Sequence, residues 1–145
     1  MFELVKYIYE NYPNLKNQIP LWQLFSLLDK NEDKIIVVKE GDKFKGAGLY
    51  IKLTDNTLED LKLISENATR TEMTQFLSTP VNIQRLLDEK GGNVHFLFVL
   101  ADSLTIIRKG LKEVIKKENP KNVSWFDIKT YKIKVFKGAR ELCLN

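Results

Sequence analysis

Apolar residues along this chain recur first at a helical interval and later at a strand interval, and each change of interval predicts a change of element. Phe2, Val5, Ile8, Tyr9 and Tyr12 fall near helical spacing, which predicts a helix from Met1 to Tyr12, ended by Pro13. Ile19-Pro20 predicts the start of a second helix, because proline suits a first turn. Leu21, Leu24, Phe25 and Leu28 form its apolar stripe, flanked by Trp22. The polar stretch from Asp29 to Asp33 reads as a loop. The β-branched run from Lys34 to Lys39 predicts a strand, and Gly41-Asp42 a tight turn into a return strand from Phe44 to Leu53. Gly46 and Gly48 lie inside that return strand, where glycine marks a bulge or a close backbone approach.

Thr54 to Thr57 predicts the cap of a short helix through Leu58, Leu61 and Ile64. Residues 65–79 carry no usable periodicity and read as a loop over the sheet. Pro80 to Lys90 predicts a helix opened by proline, with Gly91 as its C-terminal cap. The run from Asn93 to Ala101 is apolar, short and bounded by Gly91-Gly92, which predicts a buried strand. Asp102-Ser103 offers two N-cap candidates. The helix that follows carries Leu104, Ile107, Leu111, Val114 and Ile115 on one face, and Arg108, Lys109, Lys112, Glu113, Lys116 and Lys117 on the other. Asn119-Pro120 ends it. Strands are predicted over Val123–Phe126 and Tyr131–Phe136, joined by a hairpin. Strand, helix and returning strand make a right-handed crossover, which leaves a helix N-terminus at the carboxyl end of a strand, a favourable place for phosphate.

Composition narrows the classes. A chain of 145 residues, 43% hydrophobic and 29% charged, predicts one soluble domain over residues 1–145. No apolar run approaches the roughly 20 residues that cross a bilayer, so no membrane partner is expected. The first residues include Glu3 and lack a signal-peptide layout, and the one cysteine, Cys143, forms no intrachain disulfide; both fit a cytoplasmic location. One His and one Cys do not make a closed zinc set, so no metal is expected. The charge is uneven. Residues 1–107 hold 12 Lys/Arg against 15 Asp/Glu, a net of −3, whereas residues 108–140 hold 11 against 3, a net of +8. The basic block fits either an anionic partner or a solvated helix face with a lysine-guarded edge strand.

Two helices, a hairpin, a strand, an amphipathic helix and a final strand pair resemble, in that order, the GNAT N-acetyltransferase superfamily without its first strand. The hairpin from Ile35 to Ile51, with Lys39-Glu-Gly-Asp-Lys43 at its turn and Gly46-Ala-Gly-Leu49 at its entry, carries the closest likeness. The strand from Asn93 and its following helix resemble the family's fourth strand and third helix. The resemblance extends to compact GNAT-like proteins of bacterial and phage genomes. It implies an α+β (α/β) fold, a central mixed sheet flanked by helices, and acetyl transfer from acetyl-CoA to an amine of a small molecule or protein. It further implies that Phe98, Val99 and Leu100 face the pantetheine arm, and that Ser103, Leu104, Thr105 and Ile106 present N–H groups to the pyrophosphate. Arg108, Lys109 and Gly110 stand as a fragment of the family's phosphate-loop motif. Lys112 joins Lys109 as a candidate partner for the phosphates. By the same likeness His95 is the candidate base, and Tyr131 the candidate acid for the thiolate.

Two features depart from the family pattern. Thr105, Ile106 and Ile107 stand where its loop carries glycines, and only Asp127–Thr130 separates the last two strands, where the family has a helix. A second function class is therefore a non-catalytic protein of the same fold with a binding or phage-associated structural role. A third is a nucleic-acid binder, because Trp125, Phe126, Tyr131 and Phe136 interleave with lysines. Ser124 has no His or acid at readable spacing, so a nucleophilic triad has no support.

Overall fold

A computed structural model describes residues 1–12, 19–127, 130 and 132–137 of the chain. Its fold is mixed α+β, with helices flanking an open five-stranded sheet in the order β1-β2-β3-β4-β5. The sheet is mixed: β1 (Ile35–Glu40) and β2 (Lys43–Leu53) are antiparallel, β3 (Asn93–Ala101) and β4 (Asn122–Phe126) parallel, and β4 and β5 (Ile133–Lys137) antiparallel. The chain gathers into two compact units, Met1–Leu49 with Phe98–Glu113, and Tyr50–Leu97 with Val114–Asn145. Among the described residues no helix is long and apolar enough to cross a membrane.

In the first unit, α1 (Phe2–Asn11) buries Leu4, Val5 and Ile8, and α2 (Leu21–Lys30) buries Leu24 and Leu28, at the i, i+4 spacing that makes one helical face. Gly41, at φ +62, supplies the left-handed turn between β1 and β2. Their pairing runs from Ile35↔Leu49 to Glu40↔Lys43, with a register shift between Val38 and Lys39. Phe44 stacks on Tyr7 at 5.3 Å, and the Lys39 ammonium stands 4.5 Å over the Phe44 ring. The strand glycine Gly46 has a packing role. A Cβ there would stand 2.7 Å from a methyl of Ile106 in the helix α6 (Leu104–Glu118). Gly110, one turn beyond Ile106 on α6, is tight but less so: its Cβ would meet Val38 at 3.3 Å. Both glycines let α6 approach the β1–β2 hairpin.

In the second unit, Tyr50 meets Phe96 edge-on at 5.9 Å and donates its hydroxyl to Glu118 at 3.2 Å. The other Glu118 oxygen pairs with Lys52 at 3.2 Å. The core around them holds Ile51, Leu53, Val94, Val114, Ile115 and Val123. Thr54 caps α3 (Asp55–Asn67) by accepting from the Thr57 N–H, as its sequence predicts. Ser65 of α3 is buried and accepts the Ile133 N–H of β5 at 3.2 Å, which gives that strand a partner on its second side. At α6's end Asn119 adopts φ +47, a left-handed stop.

Two expectations change. Residues 65–79 are not a loop: Arg70–Ser78 forms α4, opened by a capping box in which Thr69 and Glu72 satisfy each other's backbone N–H. Gly91 does not cap α5 (Pro80–Asp88), whose C-cap is Glu89 in an extended conformation. Gly91 is glycine because a Cβ would lie 2.0 Å from the Leu53 carbonyl.

Candidate functional site

The parallel ladder of β3 on β4 comprises the pairs Val94↔Val123, His95↔Ser124 and Phe96↔Trp125. Beyond it β3 continues to Ala101 in the first unit, where burial relaxes: Phe98 and Leu100 are half-buried and Val99 is 45% exposed. The Asp102 N–H still bonds the Lys45 carbonyl at 3.0 Å, and the two side chains form a surface ion pair at 3.5 Å.

Ser103 then caps α6, its hydroxyl accepting the Ile106 N–H at 3.3 Å. Leu104 and Thr105 occupy the first turn, where helical geometry leaves N–H groups without intrahelical acceptors. Both residues are exposed. The predicted apolar face does not hold over the first turns of the helix: Leu104 is 72% and Ile107 40% exposed, because the packing against the β1–β2 hairpin selects other positions. Ile106 and Gly110 are buried, one turn apart, and turn inward onto Gly46 and Val38. Thr105, Arg108, Lys109 and Lys112 consequently face out, and together they line a cleft of about 300 Å³. The positive helix terminus and three basic side chains therefore act on one surface.

This arrangement separates the sequence candidates. Ser103, Leu104 and Thr105 stand at the helix opening, with Arg108 and Lys109 beside them on the outward face. Ile106 and Gly110 belong to the packing side. The β-branched side chain of Ile106 is thus turned away from the helix opening that glycines would otherwise keep clear. Phe98, Val99 and Leu100 form the end of the strand that feeds the helix. The site fits a phosphate-bearing group on these grounds: an open helix N-terminus, outward cations and an inward-facing Ile106.

His95 lies in the second unit. It is fully buried, with Nδ1 2.8 Å from Ser124 Oγ and its ring edge-on to Phe126 at 4.8 Å. Its Nε2 is buried without a hydrogen-bond partner among the described residues. Burial disfavours the charged ring and lowers its pKa from 6.5 to about 4. Tyr131 lies outside the described residues.

One titratable group escaped the sequence reading. Tyr7 of α1 has a buried hydroxyl with no partner among the described residues. Burial, with the Asp102 carboxylate adding to it, raises its pKa above the usual phenol value, so it stays protonated at neutral pH. Tyr7 falls outside the apolar spacing of Phe2, Val5, Ile8, Tyr9 and Tyr12 that marks the helix in the sequence, and the Asp102 charge that acts on it comes from nearly a hundred positions away. No cluster of His, Cys, Asp and Glu able to hold a metal occurs among the described residues.

Comparison with protein-family models, with curated proteins and with solved structures found no match to this chain.

Proposed function

We propose that this protein is a GNAT-like N-acyltransferase that moves an acetyl group from acetyl-CoA to an amine. The observation that carries the reading is the cationic cleft of Thr105, Arg108, Lys109 and Lys112, placed on α6 directly after the exposed end of β3. The parallel β3–β4 ladder that stops at Phe96↔Trp125 supports the GNAT-like form of the fold.

Bound at this site, acetyl-CoA would supply an acyl group activated as a thioester. Arg108 and Lys109 would hold its phosphates, with Lys112 adding positive charge. The backbone N–H groups at Leu104 and Thr105 would take pyrophosphate oxygens without an entropic penalty of side-chain ordering. Backbone groups of Phe98, Val99 and Leu100 would run beside the pantetheine arm. Among the described titratable groups of this unit, Tyr7 is a protonated phenol whose pKa is raised by burial and by the Asp102 charge, and it is the proton donor we assign to the leaving thiolate. His95, with a pKa near 4, is a weak base for an alkylammonium, and its stronger contribution is holding β3 to β4 through Ser124.

The buried His95 is also the observation that favours the second reading, a non-catalytic protein of the same fold with a binding or structural role. Calorimetric titration with acetyl-CoA, and with desulfo-CoA as control, tests both. Saturable binding that Arg108→Glu and Lys109→Glu each weaken by at least tenfold supports the cleft. Acetylation of an amine panel that Tyr7→Phe slows, with cofactor affinity unchanged, then favours the enzyme. Binding without turnover favours the second reading, and no binding at millimolar cofactor rejects the acyltransferase and leaves the second.

A further inference from the structure

We propose that the β4–β5 ribbon of the second unit binds single-stranded nucleic acid, with bases stacked on Trp125 and Phe136 and a phosphate held by Lys134. The proposal is independent of the acyl-transfer reading and uses a different surface.

Strand register sets the arrangement. Trp125 is directly opposite Lys134, and Phe136 directly opposite Val123, so Trp125, Lys134 and Phe136 share one face of the antiparallel pair. Trp125 and Phe136 are diagonal neighbours across the two strands, within reach of one another's rings. The opposite face is packed, with Ser124 fully buried and Ile133 and Val135 half-buried, and the shared face is packed too toward β3, where Val123, Val94 and Phe96 are buried. Only the outer part of the shared face is open, with Trp125 39% and Phe136 38% exposed and Lys134 exposed beside them. Lys132, just ahead of β5, is exposed as well. None of the described carboxylates forms an ion pair with Lys132 or Lys134.

A single exposed aromatic needs no explanation. Two on one face, with an uncompensated lysine beside them, define the chemistry of a partner. Its flat π-faces must meet the rings, and its negative charge must recur between those faces. Unpaired nucleotides offer both. A duplex does not, because its bases are already stacked on each other. A protein partner fits less well, since the centres of protein interfaces are depleted of lysine. The electrostatic setting agrees: residues 108–140 carry 11 Lys/Arg and 3 Asp/Glu, a net of +8. That field draws a polyanion to this end of the chain.

The chain has two tryptophans, Trp22 and Trp125, so Trp22→Phe leaves Trp125 as the sole indole reporter. Titrating that protein with oligothymidylate or oligouridylate, and with a duplex of equal length, reads the stacking directly. Saturable quenching of Trp125 by either single strand, weaker with duplex and weakening as salt rises, is the expected result. Anisotropy of a labelled oligonucleotide then measures the variants in the wild-type background. Trp125→Ala and Phe136→Leu each lose about fivefold or more in affinity, the lower end of what one stacked base contributes. Lys134→Gln lowers the slope of log K against log salt by about 0.7, as loss of one phosphate contact requires. Phe136→Leu keeps an apolar side chain, so it tests the ring without emptying the face. Absence of quenching by both single strands, duplex binding as tight as single-strand binding, or aromatic variants within about twofold of the parent would each overturn the proposal.

Discussion

The imidazole Nδ1 of His95 lies 2.8 Å from the hydroxyl of Ser124, the residue directly paired with it across the parallel strands β3 and β4. Neither side chain reaches solvent. This bond gives the His–Ser pair a specific interior partner where two apolar side chains would otherwise meet. It also leaves the second ring nitrogen without a partner among the described residues, so the ring is costly to charge.

That cost makes stability depend on pH. His95 takes up a proton near pH 6.5 in the unfolded chain and near pH 4 in the folded one. Between these values the unfolded state binds more protons, so stability falls as the pH drops from 6.5 toward 4. The loss from this one residue is on the order of 3 kcal/mol. Urea unfolding at several pH values will show the slope in the native protein, and His95→Phe will lack the part due to this residue. Equal slopes in both proteins would mean that His95 is not held neutral by the fold.

Gly91→Ala should be severely destabilising. The new methyl would stand 2.0 Å from both the carbon and the oxygen of the Leu53 carbonyl, and 2.2 Å from the Thr54 nitrogen. All three atoms are backbone, so a rotamer change offers no relief. The Gly91 N–H also bonds the Lys52 carbonyl at 2.9 Å, which ties the loop down. The expected loss is about 3 kcal/mol or more, read as a shift in the urea midpoint.

Gly46→Ala meets a softer obstacle, and the difference is measurable. Its methyl would lie 2.7 Å from Ile106 Cγ2, a side-chain atom, and 3.1 Å from the Leu100 carbonyl oxygen. The single substitution should cost about 1–3 kcal/mol. Leucine lacks the Cγ2 branch, so Ile106→Leu in the Gly46→Ala background should recover part of that loss. A double-mutant cycle with zero coupling would show that α6 does not press on Gly46.

Thr69→Ala should remove about 1 kcal/mol and act locally. It deletes the acceptor that Thr69 offers the Glu72 N–H at 3.1 Å, half of the capping box that opens α4. Amide exchange in the first turn of α4 should accelerate while exchange in β3 stays unchanged. Uniform acceleration through both elements would show instead that α4 unfolds only with the whole protein.

Most of the elements could be read from the chain because their signals are local. The buried stripe positions Val114 and Ile115, the cap at Thr54 and the turn at Gly41 each depend on residues within a few positions. The capping box of Thr69 and Glu72 was equally local, but its helix carries a weak apolar stripe, so the periodicity on which the reading relied was absent. The candidate site was half legible. Ser103, Arg108 and Lys109 follow from a helix that opens after a strand. That Ile106 and Gly110 turn away from the cleft follows only from what α6 packs against.

The sequence by itself determined where most helices and strands form, α4 excepted, the parallel return of β4 after α6, and the concentration of basic charge toward the C-terminal end. Those properties come from side-chain spacing, capping groups and composition, which act within a few residues. Tertiary structure alone decided that Gly91 must lack a side chain, that His95 is sealed beside Ser124, and that Trp125, Lys134 and Phe136 share a face open on its outer part. Each of these depends on strand register or on contact between segments far apart in the chain. A one-residue slip in register would turn His95, or Trp125, Lys134 and Phe136, to the other side of the sheet.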